Sequence, residues 1–153
     1  MCKFCWTILL LLLLAIVGAV YKFGFVGSVE PAPDGRLALQ LTTAERNLVL
    51  EEMRAFVVAT QAVLAATNEE DMEAAAAAAR KAGMAAQGEV PPALVAKLPM
   101  EFKKLGFDTH SKFDQLALDA EQLGDPQHAR EQLAALLANC IACHATYSLV
   151  ATD

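Results

Sequence analysis

Two thiols and an imidazole stand close together in Cys140-Ile141-Ala142-Cys143-His144. The spacing C-x-x-C-H is that of covalent haem attachment, in which each thiol adds to a vinyl group of the macrocycle and the histidine binds the iron. Residues three and four apart share one face of a helix, so a helical segment would present Cys140, Cys143 and His144 to a single ring. The same thiols could form a helical disulfide or half of a zinc site. The chain shows no thioredoxin-like strand and helix alternation and no second Cys/His pair at zinc spacing, so one covalent haem c is expected, with His144 as a ligand to iron. A second C-x-x-C, Cys2-Lys3-Phe4-Cys5, is followed by Trp6 instead of histidine. It reads as two small apolar residues flanking a membrane segment, with palmitoylation or redox chemistry as the alternatives.

The elements that must carry the motif follow from apolar periodicity and breakers. Thr42 and Glu45 form a capping box, which predicts a helix from Thr42 to about Thr67 with Val49, Met53, Phe56, Thr60 and Val63 on one face. A second helix is expected after Asn68, whose side chain can cap it, running through the alanines to about Met84. Pro91, Pro92 and Pro99 make Gly88 to Gly106 a crossover with at most a short helical turn. A third helix should run from near Asp108 to Gly124, carrying Phe113, Leu116, Ala117, Ala120 and Leu123 at helical spacing. In the fourth, Asp125 caps, Pro126 takes the first position, and Leu133, Leu136, Leu137, Cys140, His144 and Tyr147 form a stripe. The expected architecture is all-α, an antiparallel four-helix bundle over residues 42–153, with no strands.

Ahead of it, Cys5 to Tyr21 is almost wholly apolar, between Lys3 and Lys22. About 20 apolar residues span a bilayer, while a cleavable signal needs an apolar stretch of only about 7 to 15. Residues 1–29 fall between these lengths and read as an anchor, with removal of a signal before Val20 or Val29 as the alternative. Either way the domain is exported, to the periplasmic side of a bacterial-type inner membrane. Residues 30–41, opening with Glu-Pro-Ala-Pro-Asp-Gly-Arg, read as a linker that joins neither helix nor core.

The terminal C-x-x-C-H-x-x-Tyr, preceded by LGDPQHAREQLAALLANC, resembles the cytochrome c-prime family over roughly Thr42 to Leu149. That family is a four-helix bundle with haem near its C-terminus, often a homodimer. Its high-spin members bind nitric oxide or carbon monoxide on an open iron face, and low-spin relatives fill that face with a methionine of the first helix. The resemblance implies thioethers at Cys140 and Cys143, His144 as proximal ligand and Tyr147 packed beside it. Ser148 departs from the basic residue usual after that tyrosine. Met53 is the leading distal ligand, with Leu50 competing if Arg46 aligns with the family arginine four residues before the distal position. Core filling is the alternative for Met53. Arg46 and Arg54 are candidates for the haem propionates, a solvated helix surface being the alternative. His110 is read as a solvated first-turn residue or one near a haem edge, His128 as exposed, and Met100 as a cover over the haem.

Acidic residues outnumber basic ones for a net charge of -6, which argues against nucleic acid as a partner. The expected function is one-electron transfer with redox partner proteins at the membrane. The alternatives are a five-coordinate haem protein binding nitric oxide or carbon monoxide, and a haem subunit of a larger respiratory complex. No nucleophile, general base or substrate motif points to an enzyme.

Overall fold

The computed structural model describes residues 3–88 and 90–152, the side chains of residues 3 and 5 excepted. The N-terminal pair Cys2 and Cys5 thus lies outside what is described. The apolar run forms α1 (Lys3–Tyr21) and continues as a turn of π-helix over Lys22–Val26. Its span Trp6–Val26 has a mean hydropathy of 2.4, and none of its most apolar stretch is buried in the chain.

The remaining helices are α2 (Thr43–Asn68), α3 (Met72–Arg80), α4 (Pro92–Lys97), α5 (Met100–Leu123) and α6 (Pro126–Thr146). Thr42 caps α2 through the expected box: its hydroxyl accepts from the Glu45 amide, and its own amide donates to the Glu45 carboxylate at 2.8 Å. Asp125 likewise accepts from the Gln127 and His128 amides ahead of Pro126, as expected. The other two long helices start elsewhere than the sequence suggests. Asn68 is the last residue of α2, and Glu70 reverses the chain at φ 59°, so Asp71 caps α3 instead, accepting from the Ala74 amide at 2.9 Å. α5 begins at Met100 rather than near Asp108. Pro99 sits just outside its first turn, where a missing amide costs nothing, and Gly106 is absorbed inside the helix.

Helix α2 packs against α3 and α6, and α5 packs against the same two, closing a ring. Its centre holds Val63, Phe113, Leu116 and Leu136, all at or near zero exposure, with Phe56 and Cys140 against its edge. The alanines Ala75, Ala76, Ala78 and Ala79 are buried, so their small side chains let α3 lie close to its neighbours, as their number suggested.

The expectation of an all-α chain without strands is corrected by a small sheet. β1 (Val29–Pro31) pairs antiparallel with β2 (Leu37–Leu41), and β2 pairs parallel with β3 (Tyr147–Ala151), which leaves α6 directly. The stretch read as a linker is therefore a hairpin whose second strand buries Leu39 and Leu41 completely. Its prolines and glycine act as turn formers: Gly35, at φ 84°, closes a turn in which the Ala32 amide donates to the Arg36 carbonyl. Pro31 is tolerated because β1 is an edge strand. Leu39, Leu41, Val49, Leu94, Leu98 and Tyr147 form a second core under this sheet.

No free spacer separates α1 from the rest. The Ser28 amide donates to the Lys97 carbonyl at 2.7 Å, and the Lys103 ammonium donates to the Gly24 carbonyl at 3.1 Å. Gly27, at φ 71°, lies so close to the Lys97–Pro99 backbone that a Cβ there would collide with it.

Candidate functional site

The C-terminal turns of α6 carry Cys140, Cys143 and His144 on a continuous helix that ends where Tyr147 enters β3. Cys143 and His144 line a cavity of about 310 Å³, at the small end of ligand-binding cavities. The facing wall is α2, which contributes Arg46, Val49, Leu50 and Met53. Phe102 of α5, Tyr147, Ser148 and Leu149 of β3, and Arg36 from the hairpin complete the lining. Residues from four separate stretches of chain thus meet at the cavity.

Both cysteines are free thiols of intermediate exposure. Burial pushes each thiol above the usual cysteine range, and the neighbouring Cys140 adds to the rise at Cys143. The rise disfavours the thiolate, which makes each a weaker nucleophile than an exposed cysteine. Among the described residues no three His, Cys, Asp or Glu side chains cluster as a metal-ion site. His144 is exposed while lining the cavity, so its imidazole is reachable from outside.

Arg36 ties the hairpin to this helix end. Its guanidinium donates to the His144 carbonyl at 3.3 Å and to the Tyr147 carbonyl at 3.2 Å, while Asp34 takes up its other face at 2.7 Å. A cation against the orphan carbonyls of a helix C-terminus is stabilising, and here it fixes the turn that carries the motif. Tyr147 is buried, with its ring edge-on to Phe102 at 5.3 Å, and burial raises its pKa. It belongs to the first residue of β3, not to the helical stripe expected to run through it.

Of the residues singled out in the sequence, Met53, Leu50, Arg46, Cys143, His144 and Tyr147 share the cavity. Cys140 does not line it. One turn back, it packs against the core between the four helices. Arg54 is exposed and takes no part, and Met100 at the start of α5 lines neither of the larger cavities. His110 is not solvated: it is buried with its ring 4.9 Å from that of Phe56. Its Nδ1 lies 2.8 Å from the Ala82 carbonyl and its Nε2 3.1 Å from Glu52 Oε1. His128 is partly exposed, 3.5 Å from Asp119.

Sequence reasoning missed Arg36, Phe102 and Leu149 as site residues. The Leu-Ala-Leu-Gln-Leu alternation at 37–41 was the available signal for a strand that brings Arg36 inward. Phe102 was masked by the late start assigned to its helix. Cys143, His144, Arg36 and Arg46 thus line one cavity, and the Cys140 thiol stands outside it, one turn back on the same helix. No protein-family model matches the chain, and neither a curated protein nor a solved structure shows significant similarity to it.

Proposed function

We propose that the chain is a c-type cytochrome that moves one electron at a time through a single haem c attached at Cys140 and Cys143. It works on the periplasmic side of a bacterial-type inner membrane, held there by α1. The reading is carried by the convergence of Cys143 and His144 with Met53, Leu50 and Arg46 on one cavity. The ring of α2, α3, α5 and α6 is consistent with an antiparallel four-helix bundle of the cytochrome c-prime kind, to which this chain adds a sheet at the motif end.

When bound, the haem supplies an iron that changes by one charge. His144 would offer its imidazole to that iron, and the Met53 thioether, which lines the same cavity, would serve as a second ligand that keeps diatomic gases off. Arg46 supplies positive charge for a propionate. Tyr147, Phe102 and Val49 give the inner wall an apolar surface that lowers the local dielectric. An uncleaved anchor is favoured because Ser28, beside the second cut site, donates to Lys97 and accepts from Gln40, so its backbone is inside the fold.

A second reading has an observation of its own. Leu50 lines the same wall one turn before Met53, and a leucine over the iron would leave it five-coordinate and open to nitric oxide or carbon monoxide. Exposed Val57, Val58 and Ile141 offer apolar surface on α2 and α6 for a redox partner, a second copy or a larger complex. The optical spectrum of purified, reduced protein with and without carbon monoxide tests the carrier reading. A low-spin spectrum unchanged by the gas is expected; a high-spin spectrum that shifts with it would replace the carrier by the gas binder.

A further inference from the structure

A second cavity, of about 500 Å³, is also lined by Val49 and Phe102 and lies between α2, α4, α5 and the 84–88 stretch. Its lining is mostly apolar, and the rings of Phe56, Phe102 and Phe107 give part of it flat aromatic walls. The buried ring of His110 stands among them with both nitrogens against acceptors, the Ala82 carbonyl and Glu52 Oε1. The Ala82 carbonyl can only accept, so the ring donates from Nδ1, and Nε2 faces the Glu52 carboxyl group. Glu52 is only partly exposed, lines the cavity, and its other oxygen takes no hydrogen bond among the described residues. Glu51, Lys81 and Lys103 also line the cavity, and Glu52 is the carboxylate held in place by a buried ring, so an acceptor of set position stands in a mostly apolar chamber.

Its position is equally specific. Lys103, part of the lining, donates to Gly24 in the π-helical continuation of α1, and α4, which supplies Leu94 and Val95, is bonded to Ser28 through Lys97. The chamber thus abuts the end of the apolar span, where exposed Phe23, Phe25, Val90 and Val95 add greasy surface. We propose that this cavity binds a membrane-soluble hydroquinone, with its flat ring between the phenylalanines, a hydroxyl donating to Glu52, and its aliphatic tail directed toward the bilayer. The proposal rests on α1 entering a membrane but not on haem attachment.

The test is calorimetric titration of the full chain in phosphatidylcholine nanodiscs with decylubiquinol, kept reduced under anaerobic conditions. Saturable binding of one molecule per chain is expected. The dimethyl ether of the same compound cannot donate and should bind about tenfold more weakly, the loss of a hydrogen bond to a charged group; Glu52→Ala should have a similar effect. Gly106→Leu is the folding-independent control. Gly106 lines the cavity, a Cβ there meets nothing within 4 Å, and leucine is the better helix former, so this variant should fold at least as well and lose binding. Equal affinity for quinol and ether, or unchanged binding by Gly106→Leu, would overturn the proposal. Haem content, read separately from the spectrum, shows whether the cytochrome reading fails independently.

Discussion

Residue by residue, the two cavities ask different things of α2. Met53 points into the smaller one with Leu50 and Arg46, and all three were legible in the sequence because one helix face and one motif relate them. Arg36 and Phe102 were not, because they arrive from segments whose structure depends on distant partners. Met53→Ala is expected to let the reduced protein bind carbon monoxide that the wild type ignores. It should cost about 2 kcal/mol, near the low end for such truncations, since Met53 is only partly buried. Carbon monoxide difference spectra and a melting curve check both. His110 carries a pH prediction. Burial alone would depress its pKa, but the bonds to Glu52 and Ala82 and the Glu52 charge outweigh this and raise it above the ordinary 6.5. A raised folded-state pKa means that the pair stabilises the protein fully below 6.5 and that this stabilisation fades as the pH climbs through the folded value. The melting temperature should therefore fall as pH rises above neutrality, and Glu52→Gln should flatten that slope. A slope identical in the two proteins would remove the imidazolium from the account.

Among the elements, helices declared themselves and strands did not. The caps at Thr42 and Asp125 are local chemistry, bonds between residues two or three apart, and both formed as expected. β2 draws one neighbour from the other side of a tight turn and the other from the last residues described, and no local pattern reports a pairing of Leu37 with Tyr147. The prolines and glycine of 31–35 were weighed as breakers of helix when they serve as makers of a turn. Thr42→Ala should destabilise by about 1 kcal/mol, measured by denaturant titration, the usual loss for an N-cap. Gly27→Ala should cost more, about 1 to 3 kcal/mol, because it adds a Cβ at positive φ against the Lys97–Pro99 backbone. Gly24→Ala is its control, having open space around it. Limited proteolysis should cut the 22–28 segment faster in the first variant and not in the second. Equal cutting in both would show that the junction is not held by this contact.

For the molecule as a whole, the motif, the cavity and the fastening of α1 describe one object: a small, mostly helical domain tied to an apolar helix long enough to cross a membrane, with a cavity of about 310 Å³ beside its last helix. Full-length chain should stay in the membrane fraction after a salt wash, and an N-terminus at Val20 or Val29 would show a cleaved signal instead. The central claim is covalent haem, and the mass of the peptide containing Cys140 to His144 tests it most directly. Protein made in a host with haem-attachment machinery and digested after acid-acetone extraction should yield that peptide heavier by one haem. The Cys140→Ala, Cys143→Ala double variant should yield it bare. A bare peptide from the wild-type protein would contradict the account.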